Sequence, residues 1–270
     1  MDLGLRDRAY LVTGGSRGLG FAAAQALVAE GARVLLSAPH QGTAAAAAAR
    51  LGQDAAAGTA AWVVADNADP AAPGQLITAA RDRFGRLDGA LISVGGSPAG
   101  TIAAAGDDAW RSAFESVFLG AVRLARVLAA DLSGTSQDGA GTAELTGTGG
   151  SIAVVLAASV RAPLPGLAIS NGLFPGLAGV VKTHADEHGP CGIRVNGLLP
   201  VRIATDRVRQ LDALSGDPDE VRARLSQAIP LRRYGEPAEF GRTAAFLLSP
   251  AASYITGAMI PIDGGAIRSI

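Results

Sequence analysis

Thr13-Gly14-Gly15-Ser16-Arg17-Gly18-Leu19-Gly20 is the stretch whose residue types and spacing point most directly to chemistry. Glycines leave the backbone bare, so its N–H groups can meet a pyrophosphate that any side chain would push away. For that use, the turn must hand a strand over to a helix whose N-terminus faces the anion. The flanks fit: Ala9 to Thr13 is a short apolar run, and Phe21 to Glu30 has helical spacing that stops at Gly31, where a left-handed cap costs little. A glycine-rich turn alone is weak evidence, and the strand before it and helix after it are what strengthen it.

The chain that must position this turn alternates strands and helices. Arg33 to Ser37, Ala60 to Ala65, Ala90 to Val94, Ser151 to Leu156, Arg194 to Leu198 and Met259 to Ile262 read as further strands. Helical segments lie between them at Thr43 to Leu51, from about Pro70 to Phe84, from about Asp108 to Asp131, and after Asp219 and Pro237. Seven strands joined by helical crossovers imply an α/β fold of the Rossmann type, a doubly wound parallel sheet with helices on both faces. The stretch from about 133 to 150 is rich in Gly, Ser and Thr and reads as a mobile surface loop.

A length of 270 residues with 49% hydrophobic content suits one such domain spanning 1–270. With 23 basic and 24 acidic residues there is no electrostatic case for nucleic acid or an anionic membrane as partner. A small molecule or nucleotide fits better. The single cysteine, Cys191, excludes an internal disulfide and a cysteine-built metal cluster. No stretch resembles a signal peptide or a membrane span, so the expected location is the cytoplasm.

The motifs together resemble the short-chain dehydrogenases/reductases over nearly the whole chain. The family's TGxxxGxG pattern is matched by Thr13, Gly14, Gly18 and Gly20, and Asp66-Asn67 resembles its adenine-contacting position. Ile193-Arg194-Val195-Asn196 with Pro200, Pro230 to Pro237, and Tyr254-Ile255-Thr256-Gly257 with Asp263-Gly264-Gly265 resemble its C-terminal signatures. The resemblance implies a nicotinamide cofactor held by Gly14, Ser16, Arg17, Gly18, Leu19, Gly20, Ser37, Asp66, Asn67, Gly95, Ile203 and Thr205. NAD binders carry an acidic residue at the end of the second strand, where this chain has Ser37, Ala38, Pro39 and His40. Arg17 can pair with a 2′-phosphate, so NADP(H) is the expected cofactor and NAD(H) the alternative. His40 is a further candidate at the cofactor's edge.

The family's proton donor is a tyrosine with a lysine four positions later, aided by a serine and an asparagine. The tyrosines here are at 10, 234 and 254, followed four residues on by Gly14, Ala238 and Ala258, and Lys182 is the single lysine. Counting thirteen back from Glu187 puts Phe174 at the lysine position and Ser170 at the tyrosine position. Counting from Gly150-Ser151-Ile152 puts Ala157 at the serine position, thirteen before Ser170, and Val117, seven beyond Trp110, stands for the asparagine. Ser170 is thus the one candidate catalytic residue, with Asn171 beside it as a substrate contact or helix cap. Pro175 predicts that the helix there starts late or breaks. Ser159 and Arg161 are read as surface-loop residues, His184 and His188 as cations near a helix end, and no metal is expected.

Two functional classes remain open at this point. One is an atypical oxidoreductase acting on an activated carbonyl or an imine, its proton coming from water, Ser170 or the substrate. The other is a non-reductive relative that serves as a binding or partner subunit or runs different chemistry. The resemblance implies a homodimer or homotetramer and a substrate-covering lobe at about 203–230.

Overall fold

The structure is a computed structural model that describes residues 2–53, 59–134 and 149–269. Most of the expected loop at 133–150 lies outside the described residues.

Seven strands form one sheet: β1 (Ala9–Val12), β2 (Arg33–Ala38), β3 (Thr59–Val64), β4 (Gly89–Ile92), β5 (Gly150–Val155), β6 (Ile193–Pro200) and β7 (Met259–Ile262). Their order is β3-β2-β1-β4-β5-β6-β7, and every neighbouring pair is parallel. The expected α/β Rossmann-type architecture is therefore correct. The chain winds outward from β1 in one direction and from β4 in the other, so a crevice opens beyond the carboxyl ends of these two strands.

The helices are α1 (Gly18–Ala29), α2 (Gln41–Gln53), α3 (Ala72–Phe84), α4 (Asp107–Ala113), α5 (Gly120–Ser133), α6 (Ala168–His188), α7 (Asp206–Ala213), α8 (Pro218–Ser226) and α9 (Pro237–Leu248). Strands buried on both faces need two cores, and two are present. Leu27, Leu51, Phe240 and Leu247 fill the side covered by α1, α2 and α9, while Leu76, Leu128, Leu177 and Val181 fill the side covered by α3, α5 and α6. No helix among the described residues is long and apolar enough to cross a membrane.

Local signals explain the boundaries. Gly31 ends α1 at φ +85° and Gly85 ends α3 at φ +72°, both left-handed. Asp217 caps α8 by accepting from the Asp219 and Glu220 N–H groups at 3.0 and 3.1 Å, and Pro218 follows at the first helical position. The far motifs interlock around Asn196, which donates to the Ile255 carbonyl at 2.9 Å and accepts from Ala258 N–H at 3.0 Å. Thr256 completes the join by accepting from Val195 N–H at 3.1 Å.

Three expectations need correction. Pro175 neither delays nor breaks α6, which runs unbroken for 21 residues. An interior proline costs about 3 kcal/mol, whereas each buried apolar side chain returns ~1.5–3 kcal/mol. Leu173, Phe174, Leu177 and Val181 are all buried, so packing outweighs the lost bond to the Asn171 carbonyl. The second departure is the segment from 108 to 131, which is two α-helices joined by a π-helical stretch, Phe114–Leu119. Third, His184 is buried, and desolvation, with His188 beside it, lowers its pKa, which disfavours the cation expected at the helix end.

Pro175→Ala restores the missing N–H without enlarging the side chain. It should stabilise the protein by about 1–2 kcal/mol, seen as a higher urea midpoint at unchanged slope; a lower midpoint would show that the proline is not a net cost.

Candidate active site

The glycine turn is locked to three strands. The Thr13 hydroxyl at the end of β1 donates to the Ser93 carbonyl at 3.0 Å and accepts from Ser93 N–H at 2.9 Å, joining the ends of β1 and β4. Gly15 N–H donates to the Ser37 carbonyl at 3.0 Å, tying in β2. A Cβ on Gly20 would sit 2.4 Å from the Gly14 carbonyl oxygen, so α1 begins hard against the turn. Gly18, at φ +57°, has only the Thr205 methyl within 4 Å of where its Cβ would stand. This is open backbone at a helix N-terminus, as a pyrophosphate requires.

The other predicted cofactor residues gather around this edge. Ser16 and Leu19 are half-buried, and Arg17 is exposed in extended backbone as the residue preceding α1. Ser37 is buried at the end of β2 and serves the turn through its carbonyl. The Asp66 carboxylate accepts from Ala68 N–H at 2.9 Å, and the Asn67 amide donates to the Ser93 carbonyl at 3.4 Å. Gly95 is left-handed at φ +61° with nothing within 4 Å of its Cβ position. Ile203 is buried in a bridge to Gly235, and Thr205 caps α7 by accepting from Val208 N–H at 3.3 Å.

A second wall comes from α6. Ser170 is buried, and its hydroxyl lies 2.7 Å from that of Ser97. Ser159 is also buried and donates to the Ser170 carbonyl at 3.3 Å, which corrects its reading as a surface residue. Neither Ser170 nor Asn171 caps the helix. Asn171 instead clasps Leu164, accepting from its N–H at 2.9 Å and donating to its carbonyl at 2.8 Å. Val117, in the π-helical stretch, and Phe174 are buried in the same core, and Ala157 packs on it from the end of β5. The four counted positions thus contribute one hydroxyl and three apolar side chains.

Tyr10, Tyr234 and Lys182 are committed to bonds elsewhere in the fold. Tyr10 donates to the Leu248 carbonyl at 3.2 Å, and burial raises its pKa. Tyr234 donates to Asp212 at 3.0 Å, its pKa also raised by burial, while Tyr254 is fully exposed. Lys182 is exposed and pairs with Asp186 at 3.2 Å.

Two residues were not singled out from sequence. Ser97 follows the Gly95-Gly96 pair, and its carbonyl accepts from the Arg207 guanidinium of α7 at 2.7 Å. Arg207 also packs against Gly96, its Nε 3.0 Å from the glycine's Cβ position. Through Arg207, the segment that carries α7 and α8 thereby reaches the strand ends. It is anchored by buried Asp212, which accepts from Tyr234 and, at 2.5 Å, from Arg202. Beyond α6, an open hollow of about 500 Å³ is lined by Ile102, Pro163, Leu164, Pro165 and Ala168 among others.

Known proteins resemble the chain over nearly its whole length. A family profile described as enoyl-(acyl carrier protein) reductase matches residues 14–266. The chain belongs to the short-chain dehydrogenase/reductase family. Levodione reductase of Leifsonia aquatica is 33% identical over 96% of this chain and 94% of its own length. L-Rhamnose 1-dehydrogenase (NAD(P)(+)) of Azotobacter vinelandii is 35% identical over 97% of each chain. Among solved structures, L-sorbose reductase of Gluconobacter frateurii, complexed with NADPH and L-sorbose, superposes with a TM-score of 0.88 at 27% identity, covering all of both chains.

Gly20→Ala drives a methyl into the Gly14 carbonyl, and no flexible side chain can yield there. It should cost about 1–3 kcal/mol in urea unfolding; an unchanged midpoint would mean that α1 does not sit against the turn.

Proposed function

We propose that this short-chain dehydrogenase/reductase is an NADP(H)-dependent oxidoreductase that reduces a small, activated carbonyl or imine without a tyrosine–lysine proton donor. The observation that carries the reading is the Ser97–Ser170 hydroxyl pair, 2.7 Å apart on a wall otherwise lined by Val117, Ala157 and Phe174. NADPH in a related solved structure supports the cofactor, as does the glycine turn with Arg17 at its outer edge and no carboxylate at the end of β2.

When bound, NADPH supplies the hydride. Gly14, Gly18 and Gly20 would hold its pyrophosphate, Arg17 its 2′-phosphate, Asp66 and Asn67 its adenine side, and Gly95, Ile203 and Thr205 its far end. Within the hydroxyl pair one O–H donates to the other oxygen, which leaves the second O–H free to orient a substrate oxygen or nitrogen. Arg207, whose guanidinium donates to the Ser97 carbonyl beside this pair, would stabilise negative charge that develops at that oxygen. An unassisted serine is too weak an acid to supply a proton. The proton therefore comes from water or from the substrate, which suits an activated ketone or a protonated imine.

A second reading is a dinucleotide-binding relative without turnover. Buried Val117 and Phe174 favour it, because they remove the charged half of a proton relay. The two separate on mixing the protein with NADPH and a panel of ketones, imines, quinones and 3-oxoacyl thioesters. Steady loss of NADPH above the buffer rate supports the reductase, and binding without loss supports the second reading.

Arg17→Ala should weaken NADPH binding about 10–100-fold and leave NADH binding nearly unchanged, as calorimetry of both would show. With a working substrate, Ser170→Ala should lower kcat/KM about 3–10-fold and Arg207→Ala about 100-fold. Equal effects of Arg17→Ala on both cofactors would remove the 2′-phosphate assignment, and an unaffected Arg207→Ala would remove the charge-stabilising one.

A further inference from the structure

The C-terminal turn of α6 carries a cluster that the cofactor crevice does not use. His184, Glu187 and His188 stand at positions i, i+3 and i+4, so one helical face presents all three. One ligand atom from each lies within 4.8 Å of the others. The two imidazole rings are stacked, with centroids 5.2 Å apart and planes inclined by 24°.

His184 adds an independent observation. It is only 7% exposed, and its Nδ1 is buried with no hydrogen-bond partner among the described residues. A buried polar atom without a partner costs stability and calls for an explanation such as an unplaced water or ion. A bound cation also meets the negative end of the α6 dipole at this turn.

We propose that His184, Glu187 and His188 form a binding site for a divalent transition-metal ion, Zn²⁺ by preference, separate from the dinucleotide crevice. Two imidazoles and one carboxylate select zinc over magnesium or calcium, which require oxygen ligands. Tetrahedral zinc at ~2.0–2.1 Å from its ligands sets them about 3.3 Å apart. The ligand atoms now lie within 4.8 Å of one another, and binding would draw them together by rotation of Glu187 and His188, which are exposed and half-buried. Three protein ligands leave the fourth position to water. The ion would staple the last turn of α6 before the short 3₁₀ turn Gly189–Cys191 and β6. Lys182 is paired with Asp186 one turn earlier, and Arg126 of α5 is the cation that opposes the site.

The test uses the full chain stripped with EDTA and titrated with ZnCl₂ in equilibrium dialysis, with CoCl₂ as an optical probe. One zinc per chain, a raised Tm, cobalt d–d bands of tetrahedral intensity and no competition by excess MgCl₂ are expected. His188→Gln and Glu187→Gln change the two more exposed ligands. Each should weaken zinc binding about tenfold or more, while His40→Gln, which removes the third histidine of the chain, should leave it unchanged. Should His188→Gln fail to fold, Glu187→Gln decides alone. Absence of zinc above the buffer level, or undiminished binding by the folded variants, overturns the site.

Discussion

The contact on which the rest of this molecule depends is the meeting of the first residues of α1 with the turn that leaves β1. Gly20 lies against the Gly14 carbonyl, Thr13 ties that turn to Ser93, and Gly15 ties it to Ser37. Three strand ends and one helix start are thereby fixed within a few bonds of each other. The N-terminus of α1 then opens from a turn held in place on several sides. The sheet order places this junction at the switch point, and the two cores hold it from either side.

Across from the junction the chemistry thins out. A family fold supplies a crevice and a position for a hydride donor, but proton transfer depends on particular side chains. Here Ser170 turns to Ser97, Tyr10 and Tyr234 are engaged in structural bonds, and Lys182 faces solvent with Asp186. Among the described residues, Ser97, Ser159 and Ser170 bring hydroxyls to this wall, and α7 brings the Arg207 guanidinium.

Much of the fold was legible in the sequence because strand and helix periodicities were clean and glycines marked their ends. The seven strands fall within a residue or two of their apolar runs, and Gly31 stops α1 by the left-handed route its position suggested. The glycine turn was legible for the same reason, its chemistry being backbone chemistry. What sequence did not disclose is what tertiary packing decides. Pro175 signals a helix break locally, and only the buried face of Leu173 to Val181 shows why α6 continues. The π-helical stretch at Phe114–Leu119 has no distinctive composition. Ser97 and Arg207 are 110 residues apart in the chain, and neither type is unusual in a loop or on a surface helix.

The Asn171 clasp makes the two sides of the entrance mechanically unequal. One amide satisfies both backbone groups of Leu164, and the Gly100–Leu167 bridge braces the same rim, so that jaw is part of the rigid body of α6. The opposite jaw hangs from the Arg202–Asp212–Tyr234 knot and touches the strand ends through Arg207. The α6 side therefore rests on two independent ties, a side-chain clasp and a backbone bridge, and the α7 side on bonds made through one buried carboxylate and one guanidinium.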